Sequence, residues 1–245
     1  MSGPRIALFI PCFVEATAPV TAAALRRLCD RLALDWYQPR DQTCCGQPSY
    51  NAGLWSDAAR CAAKFLRDFG DAEVVVAPSA SCIAMVHHFA TLPDLTSTEL
   101  ALAKALALRS HEICSYLVDV LGIVDVGARF DGAVAYHDAC HALRGLGIHD
   151  QPRQLLRKVR GLELRELPGN PQCCGFGGTF SVKYPELSAS LADAKLAALA
   201  ATGTATLVTT DVSCLMHLAG RAARRGLPFE GRHVVDLLVG GAESA

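Results

Sequence analysis

Two Cys-Cys-Gly triplets, Cys44-Cys45-Gly46 and Cys173-Cys174-Gly175, concentrate the chemistry of this chain. Each has one cysteine well before it and another well after it, giving the sets Cys12, Cys44, Cys45, Cys82 and Cys140, Cys173, Cys174, Cys214. The intervals agree: 31 residues separate Cys12 from Cys44 and 32 separate Cys140 from Cys173, while 36 separate Cys45 from Cys82 and 39 separate Cys174 from Cys214. Random ordering of this composition gives about 0.04 such triplets, so two in register are a repeat and not a coincidence. Four thiols gathered twice suit two soft-metal sites, above all iron–sulfur clusters.

Other roles for cysteine fit other positions. Cys29, Cys61 and Cys114 lie outside the pattern, in helix-like stretches (LRRLCDRLAL, DAARCAAKFL, HEICSYLVDVL), and read as small buried hydrophobes. Burial alone calls for neither adjacent cysteines nor the same interval twice. The start, MSGPRIALFIPCF, lacks the apolar core and cleavage site of a secretory signal, and no apolar run approaches the ~18 residues of a membrane span. A cytoplasmic location is expected, where such thiols serve as metal ligands or redox groups more often than as disulfides. Zinc remains an alternative to iron–sulfur, because four thiolates suit it as well.

Composition narrows the partners. The chain has 245 residues, 51% of them hydrophobic, with a formal net charge of −1. That length can bury one or two cores. The arginines are scattered, so no nucleic-acid footprint is present.

The elements that must position the thiols also repeat. Arg5–Ile10 runs into Cys12 as a buried strand would, and Ala133–Tyr136 runs into Cys140 similarly. Helices are expected over Val20–Leu34 and Pro152–Arg160, and again over Leu54–Phe69 and Pro185–Ala200. Pro185 and Glu186 suit a first helical turn. Glu73–Ala77 and Thr206–Thr209 read as second strands leading to Cys82 and Cys214. The tails echo in Tyr116–Leu121 and His233–Leu238. Strands alternating with helices imply an α/β fold of two pseudo-symmetric subdomains, 1–125 and 126–245, each a small parallel sheet flanked by helices. The join is expected near Gly122–Gly132.

In open α/β sheets the carboxyl ends of the strands face one crevice, so the first and last cysteine of each set should meet there, joined by the triplet loop. Gly46 and Gly175 permit positive φ beside each pair. Cys173-Cys174-Gly175-Phe176-Gly177-Gly178 lacks the spacing and the Lys-Ser/Thr ending of a phosphate loop.

These residues carry a resemblance over nearly the whole chain. Pro78-Ser79-Ala80-Ser81-Cys82, Tyr136-His137-Asp138-Ala139-Cys140-His141-Ala142-Leu143-Arg144, Cys173 through Phe180, and Lys183-Tyr184-Pro185-Glu186 resemble the cysteine-rich CCG-domain iron–sulfur proteins. That group includes the cysteine-rich subunit of heterodisulfide reductase, the iron–sulfur subunit of glycolate oxidase and, nearest in pattern, proteins of lactate utilization. The resemblance implies a subunit of a multi-subunit complex that oxidises L-lactate to pyruvate, passing electrons between partner subunits.

Departures from the family pattern sharpen the expectation. Heterodisulfide reductase ends its motif in Cys-x-x-Cys; here the segments read Cys82-Ile83-Ala84-Met85 and Cys214-Leu215-Met216-His217. Four thiolates per half match a cubane [4Fe–4S] cluster, one per iron, so two cubanes are expected, or one cubane and one zinc. A thiol-disulfide oxidoreductase with non-cubane clusters and a zinc-stabilised protein without redox function stay open as alternatives. The ferredoxin run C-x₂-C-x₂-C-x₃-C-P is absent, which implies a separate ferredoxin-type iron–sulfur subunit and a further lactate-utilization subunit as partners. Met85 reads as core, and His87 and His88 as ordinary helix residues. His137, His141 and His217 cluster near the second set. A small 2-hydroxy acid needs a base for its hydroxyl and a cation for its carboxylate; His141 could supply the first, and Arg144 or Lys183 the second.

Overall fold

The computed structural model describes residues 3–169 and 171–240. The chain divides into two compact units, Met1–Tyr116 and Leu117–Ala245.

In the first unit, β1 (Ile6–Leu8) leads into α1 (Cys12–Thr17) and α2 (Pro19–Arg31), then β2 (Trp36–Tyr37). The triplet loop enters α3 (Gln47–Asn51), and α4 (Trp55–Phe69) returns to β3 (Val74–Ala77). Then follow α5 (Ala80–His88), α6 (Ser97–Ala107), β4 (Ser110–Glu112) and the single turn α7 (Ile113–Ser115). The sheet order is β2-β1-β3-β4, with every pair parallel. β3 is Val-Val-Val-Ala and wholly buried, as a central parallel strand covered on both faces must be. Phe9, Phe65, Phe69 and Phe89 form the aromatic centre of the core, with Phe9 edge-on to Phe65 at 4.8 Å. A capping box, Thr96 with Glu99, starts α6.

The second unit repeats the plan. β5 (Arg129–Tyr136) is followed by α8 (Asp150–Leu156), β6 (Arg160–Glu166), α9 (Phe180–Lys183), α10 (Pro185–Ala201), β7 (Thr206–Thr209), α11 (Val212–Arg225), β8 (Glu230–His233) and α12 (Val234–Leu238). The order is β6-β5-β7-β8, again all parallel. The expected α/β architecture of two similar parallel-sheet subdomains is what the chain adopts.

The details differ in places. The helix expected over Pro152–Arg160 ends at Leu156, and Arg160 opens β6, where Gly161 at φ 80° breaks helical geometry. The helix expected to reach Leu34 stops at Arg31, and the chain turns out through Ala33 at φ 49°. The segment Tyr116–Val120 forms one π-helical stretch, whereas its echo, α12, is α-helical. Each sheet has four strands, not the two that apolar runs disclosed; the others are short or polar.

In both sheets the chain steps from the first strand outward to the second, then crosses back to the third on the other side. The strand order therefore reverses between β1 and β3, and between β5 and β7, opening a crevice at their carboxyl ends. Cys12, Cys82, Cys140 and Cys214 sit in the segments that leave those ends, and the two triplets follow the edge strands β2 and β6.

Candidate metal centres

Each of the four set members outside the triplets stands at or beside a helix start. Cys12 is the first residue of α1, and Cys140 immediately precedes the π-helical turn His141–Gly145. Cys82 and Cys214 are the third residues of α5 and α11. The amide of Cys82 donates to the capping Ser79 Oγ at 3.4 Å, and that of Cys214 to the Asp211 carbonyl at 3.2 Å. The positive end of a helix favours thiolate over thiol.

The triplet loops bring in the remaining pairs. Gly46 and Gly175 adopt φ of 85° and 93°, and their amides turn back to donate to Cys44 Sγ at 3.4 Å and Cys173 Sγ at 3.3 Å. These glycines also lie against a neighbouring helix: a Cβ on Gly46 would meet Cys61 Cβ at 2.9 Å, and one on Gly175 would meet the Ser188 carbonyl oxygen at 2.5 Å. Struts hold each loop in place. In the first unit the Ile10 amide donates to Gln42 Oε1 at 2.7 Å and Gln47 Nε2 donates to the Ser81 carbonyl at 2.8 Å. In the second, Arg144 donates to the Pro171 carbonyl at 3.2 Å and Ser188 Oγ to the Gly175 carbonyl at 2.8 Å.

The sulfurs converge. Cys44 accepts from the thiols of Cys12 and Cys45 and from the Gly46 amide, which hold it down at about 3. Cys173 accepts in the same way from Cys140, Cys174 and the Gly175 amide and is held at about 2. Their thiol neighbours Cys12, Cys45, Cys140 and Cys174 are pushed up, first because each shares its proton with a neighbouring sulfur and then by burial. Cys45 is likewise hydrogen-bonded to Cys82, and the Cys174 thiol donates to Cys214 Sγ at 3.2 Å. All four cysteines of each set thus form one connected group. Exposure is graded alike in both: Cys12, Cys44, Cys140 and Cys173 reach solvent, whereas Cys45, Cys82, Cys174 and Cys214 are buried. Cys29 and Cys114 are buried away from these groups, Cys61 is half-buried on α4, and Met85 is core.

The second unit adds a polar lining. His137 is 0% exposed, and neither ring nitrogen has a hydrogen-bond partner. A ring nitrogen, Cys174 Sγ and Cys214 Sγ lie within 4.8 Å of one another. Burial holds the imidazole at about 3, with Lys195 adding to the shift, so His137 is neutral. An orphaned buried polar group costs about 1–3 kcal/mol; placed beside thiolates, it fits a site completed by a metal-bearing group. Lys195 is 1% exposed and is pushed down by burial, against the pull of Cys174, Asp138, Cys173 and Cys214. Asp138 is paired with Arg153 through two 2.8 Å hydrogen bonds, and Arg153 also grips Glu166 and lies over the Tyr136 ring.

Of the residues considered for substrate, His141 Nδ1 lies 3.7 Å from Cys140 Sγ. Arg144 is exposed and engaged with Pro171, and Lys183 is exposed at the end of α9. His217 Nε2 meets Ser188 Oγ at 3.3 Å, and its ring lies beside Phe176. Lys195 went unnoticed in the sequence. Its signal is a lysine on the apolar stripe Ala192, Lys195, Leu196, Leu199 of α10. Among the described residues no helix is long and apolar enough to cross a membrane.

Comparison with known proteins matches residues 6–87 and 134–219 to a family described as "Cysteine-rich domain", CCG. Lactate utilization protein A of Macrococcus caseolyticus is 39% identical over 237 residues, covering 96% of each chain. Its namesake in Geobacillus kaustophilus is 39% identical over 234 residues, covering 96% of this chain and 98% of the relative. That of Exiguobacterium sp. is 37% identical over 244 residues, covering 99% and 100%. Among solved structures, glutamate racemase from Francisella tularensis gives a TM-score of 0.37 at 12% identity, covering 97% of this chain and 78% of that one; so low a score carries no argument. With the domain present twice and relatives matched from end to end, this chain belongs to the cysteine-rich CCG-domain family, within the group of lactate utilization protein A.

Proposed function

We propose that the chain is an iron–sulfur electron-transfer subunit of a complex oxidising L-lactate to pyruvate. Each unit would hold one [4Fe–4S] cluster, through Cys12, Cys44, Cys45 and Cys82 in the first and Cys140, Cys173, Cys174 and Cys214 in the second. The supporting observation is the twice-repeated group of four linked sulfurs, two only partly covered and two buried, at the carboxyl ends of matching sheets. Such a group supplies one thiolate per iron and leaves one edge near solvent for electron exchange. When bound, the clusters supply one-electron redox chemistry.

The protein's own residues prepare for that charge. Gly46 and Gly175 amides donate to cysteine sulfur, and helix starts favour the thiolates. Oxidation of a 2-hydroxy acid releases two electrons and two protons, and two one-electron sites match the electron count. His141 would accept the hydroxyl proton, and Arg144 or Lys183 would hold the carboxylate if substrate reaches this subunit. The partners would be a ferredoxin-type iron–sulfur subunit and a further lactate-utilization subunit, in the cytoplasm.

Mixing the anaerobic, cluster-loaded protein with those partners and L-lactate tests the reading. Bleaching of the visible band with formation of pyruvate is expected; loaded protein that stays oxidised in the complete mixture would overturn it. A second reading, zinc at the second-unit site, draws on the His137, Cys174 and Cys214 arrangement, a nitrogen–sulfur donor set zinc also accepts.

A further inference from the structure

The two sites share a backbone plan but not a lining. Phe9 and His137 each follow the first strand of their unit, and each donates its amide to the central strand, to the Val76 carbonyl at 2.9 Å and the Val208 carbonyl at 2.8 Å. They occupy the same position. Gly46 abuts Ala58 on α4, and Gly175 abuts Ser188 on α10. From those anchors the buried residues Ala62, Phe65, Leu66 and Phe69 repeat as Ala192, Lys195, Leu196 and Leu199. Phe65 and Lys195 are therefore equivalent. Met85 and His217 each stand three residues beyond the last cysteine.

Three apolar side chains behind the first site are thus nitrogen-bearing side chains behind the second. In the first unit Phe9 and Phe65 pack edge to face, and Met85 is 1% exposed. In the second, His137 has two orphaned ring nitrogens beside Cys174 and Cys214, Lys195 is buried, and His217 leans on the Ser188 and Phe176 that flank the triplet loop. Burying a lysine where a phenylalanine would serve costs stability unless negative charge answers it. Cys174, Cys173 and Cys214 pull on Lys195 together with Asp138, so the cysteine group is part of the negative charge that it faces.

We propose that His137, Lys195 and His217 tune the two sites apart, so that the second-unit site takes its electron at the higher reduction potential. This rests on the iron–sulfur reading above. The step is outer-sphere: one electron derived from the hydroxy acid enters, no bond forms or breaks, and the site gains one negative charge. A cation and N–H donors in a low-dielectric lining stabilise that added charge. Phenyl rings and a thioether at the matching positions supply neither. The second site is then the electron sink of the pair.

Anaerobic redox titration of the loaded protein, followed by electron paramagnetic resonance and visible absorbance, tests this. Two separated reduction steps are expected. A Cys45→Ser variant, whose iron and sulfide content is halved, should lose the lower-potential step. Lys195→Phe and His137→Phe should each lower the reduced-to-oxidised ratio of the remaining step about tenfold at fixed potential, which is about 59 mV. Lys195→Met does the same with less change of shape, and Lys195→Arg retains the wild-type potential. Coincident steps, or loss of the higher-potential step in Cys45→Ser, would overturn the proposal, as would unchanged potentials in iron-retaining Lys195→Phe and Lys195→Met proteins. Those outcomes leave the iron–sulfur reading standing, whereas zinc without sulfide in the wild-type protein defeats both.

Discussion

The sulfurs of Cys174 and Cys214 lie 3.2 Å apart although they stand 40 positions apart in the chain. One comes from a loop behind an edge strand and the other from the first turn of α11, so only the parallel sheet brings them together. Both are buried. Replacing Cys214 with serine should therefore empty the second site while leaving the first loaded. The expected reading is loss of about four irons and four sulfides per chain, with half the visible absorbance kept. Loss of all iron would mean that the two sites do not load independently.

Gly175 has no room for a side chain. Its φ of 93° lies in the left-handed region, and an added Cβ would sit 2.5 Å from the Ser188 carbonyl oxygen. Gly175→Ala should cost about 1–2 kcal/mol from the backbone and about 1–3 kcal/mol from overpacking, displacing the loop that carries Cys173 and Cys174. Urea denaturation of the metal-free protein would report the loss of stability, and iron content the displacement of the loop. A variant with wild-type stability and loading would contradict the geometry.

Asp138 and Arg153, with side chains 3% and 5% exposed, form an ion pair in the second core. The first unit has Ile10, buried and apolar, at the position of Asp138. Arg153→Met strands a buried carboxylate and should cost about 3–5 kcal/mol. Adding Asp138→Ile should recover most of that loss. A double variant as unstable as the single one would show that the pair has a role beyond neutralising itself.

His141 lies 3.7 Å from Cys140 Sγ yet remains half-exposed. If it takes the substrate proton, His141→Asn should abolish lactate-dependent reduction in the reconstituted complex with the visible spectrum intact. Fading of the spectrum would instead assign it to holding Cys140.

Much of this organisation can be read from cysteine spacing, because gathering four thiols at one place fixes residue type and interval together. The central strands were equally plain, since Val74–Ala77 and Thr206–Thr209 are buried throughout. The other strands left little trace. Trp36–Tyr37 is two residues long, and Glu-Gly-Arg-His at 230–233 is exposed over three of its four residues; such strands are specified by backbone pairing with a neighbour, which composition does not record. Lys195 was hidden for the opposite reason. In an alanine-rich helix it looks like a solvated lysine, and its only signals are the stripe it shares with Ala192, Leu196 and Leu199 and the position of Phe65 in the other unit.

Metal and sulfide content of anaerobically purified protein, with a visible spectrum of the same sample, tests the central claim most directly. The account expects about eight irons and eight sulfides per chain, with a broad absorbance that bleaches on reduction. About two zincs with no sulfide and no colour would contradict it, making both cysteine groups structural.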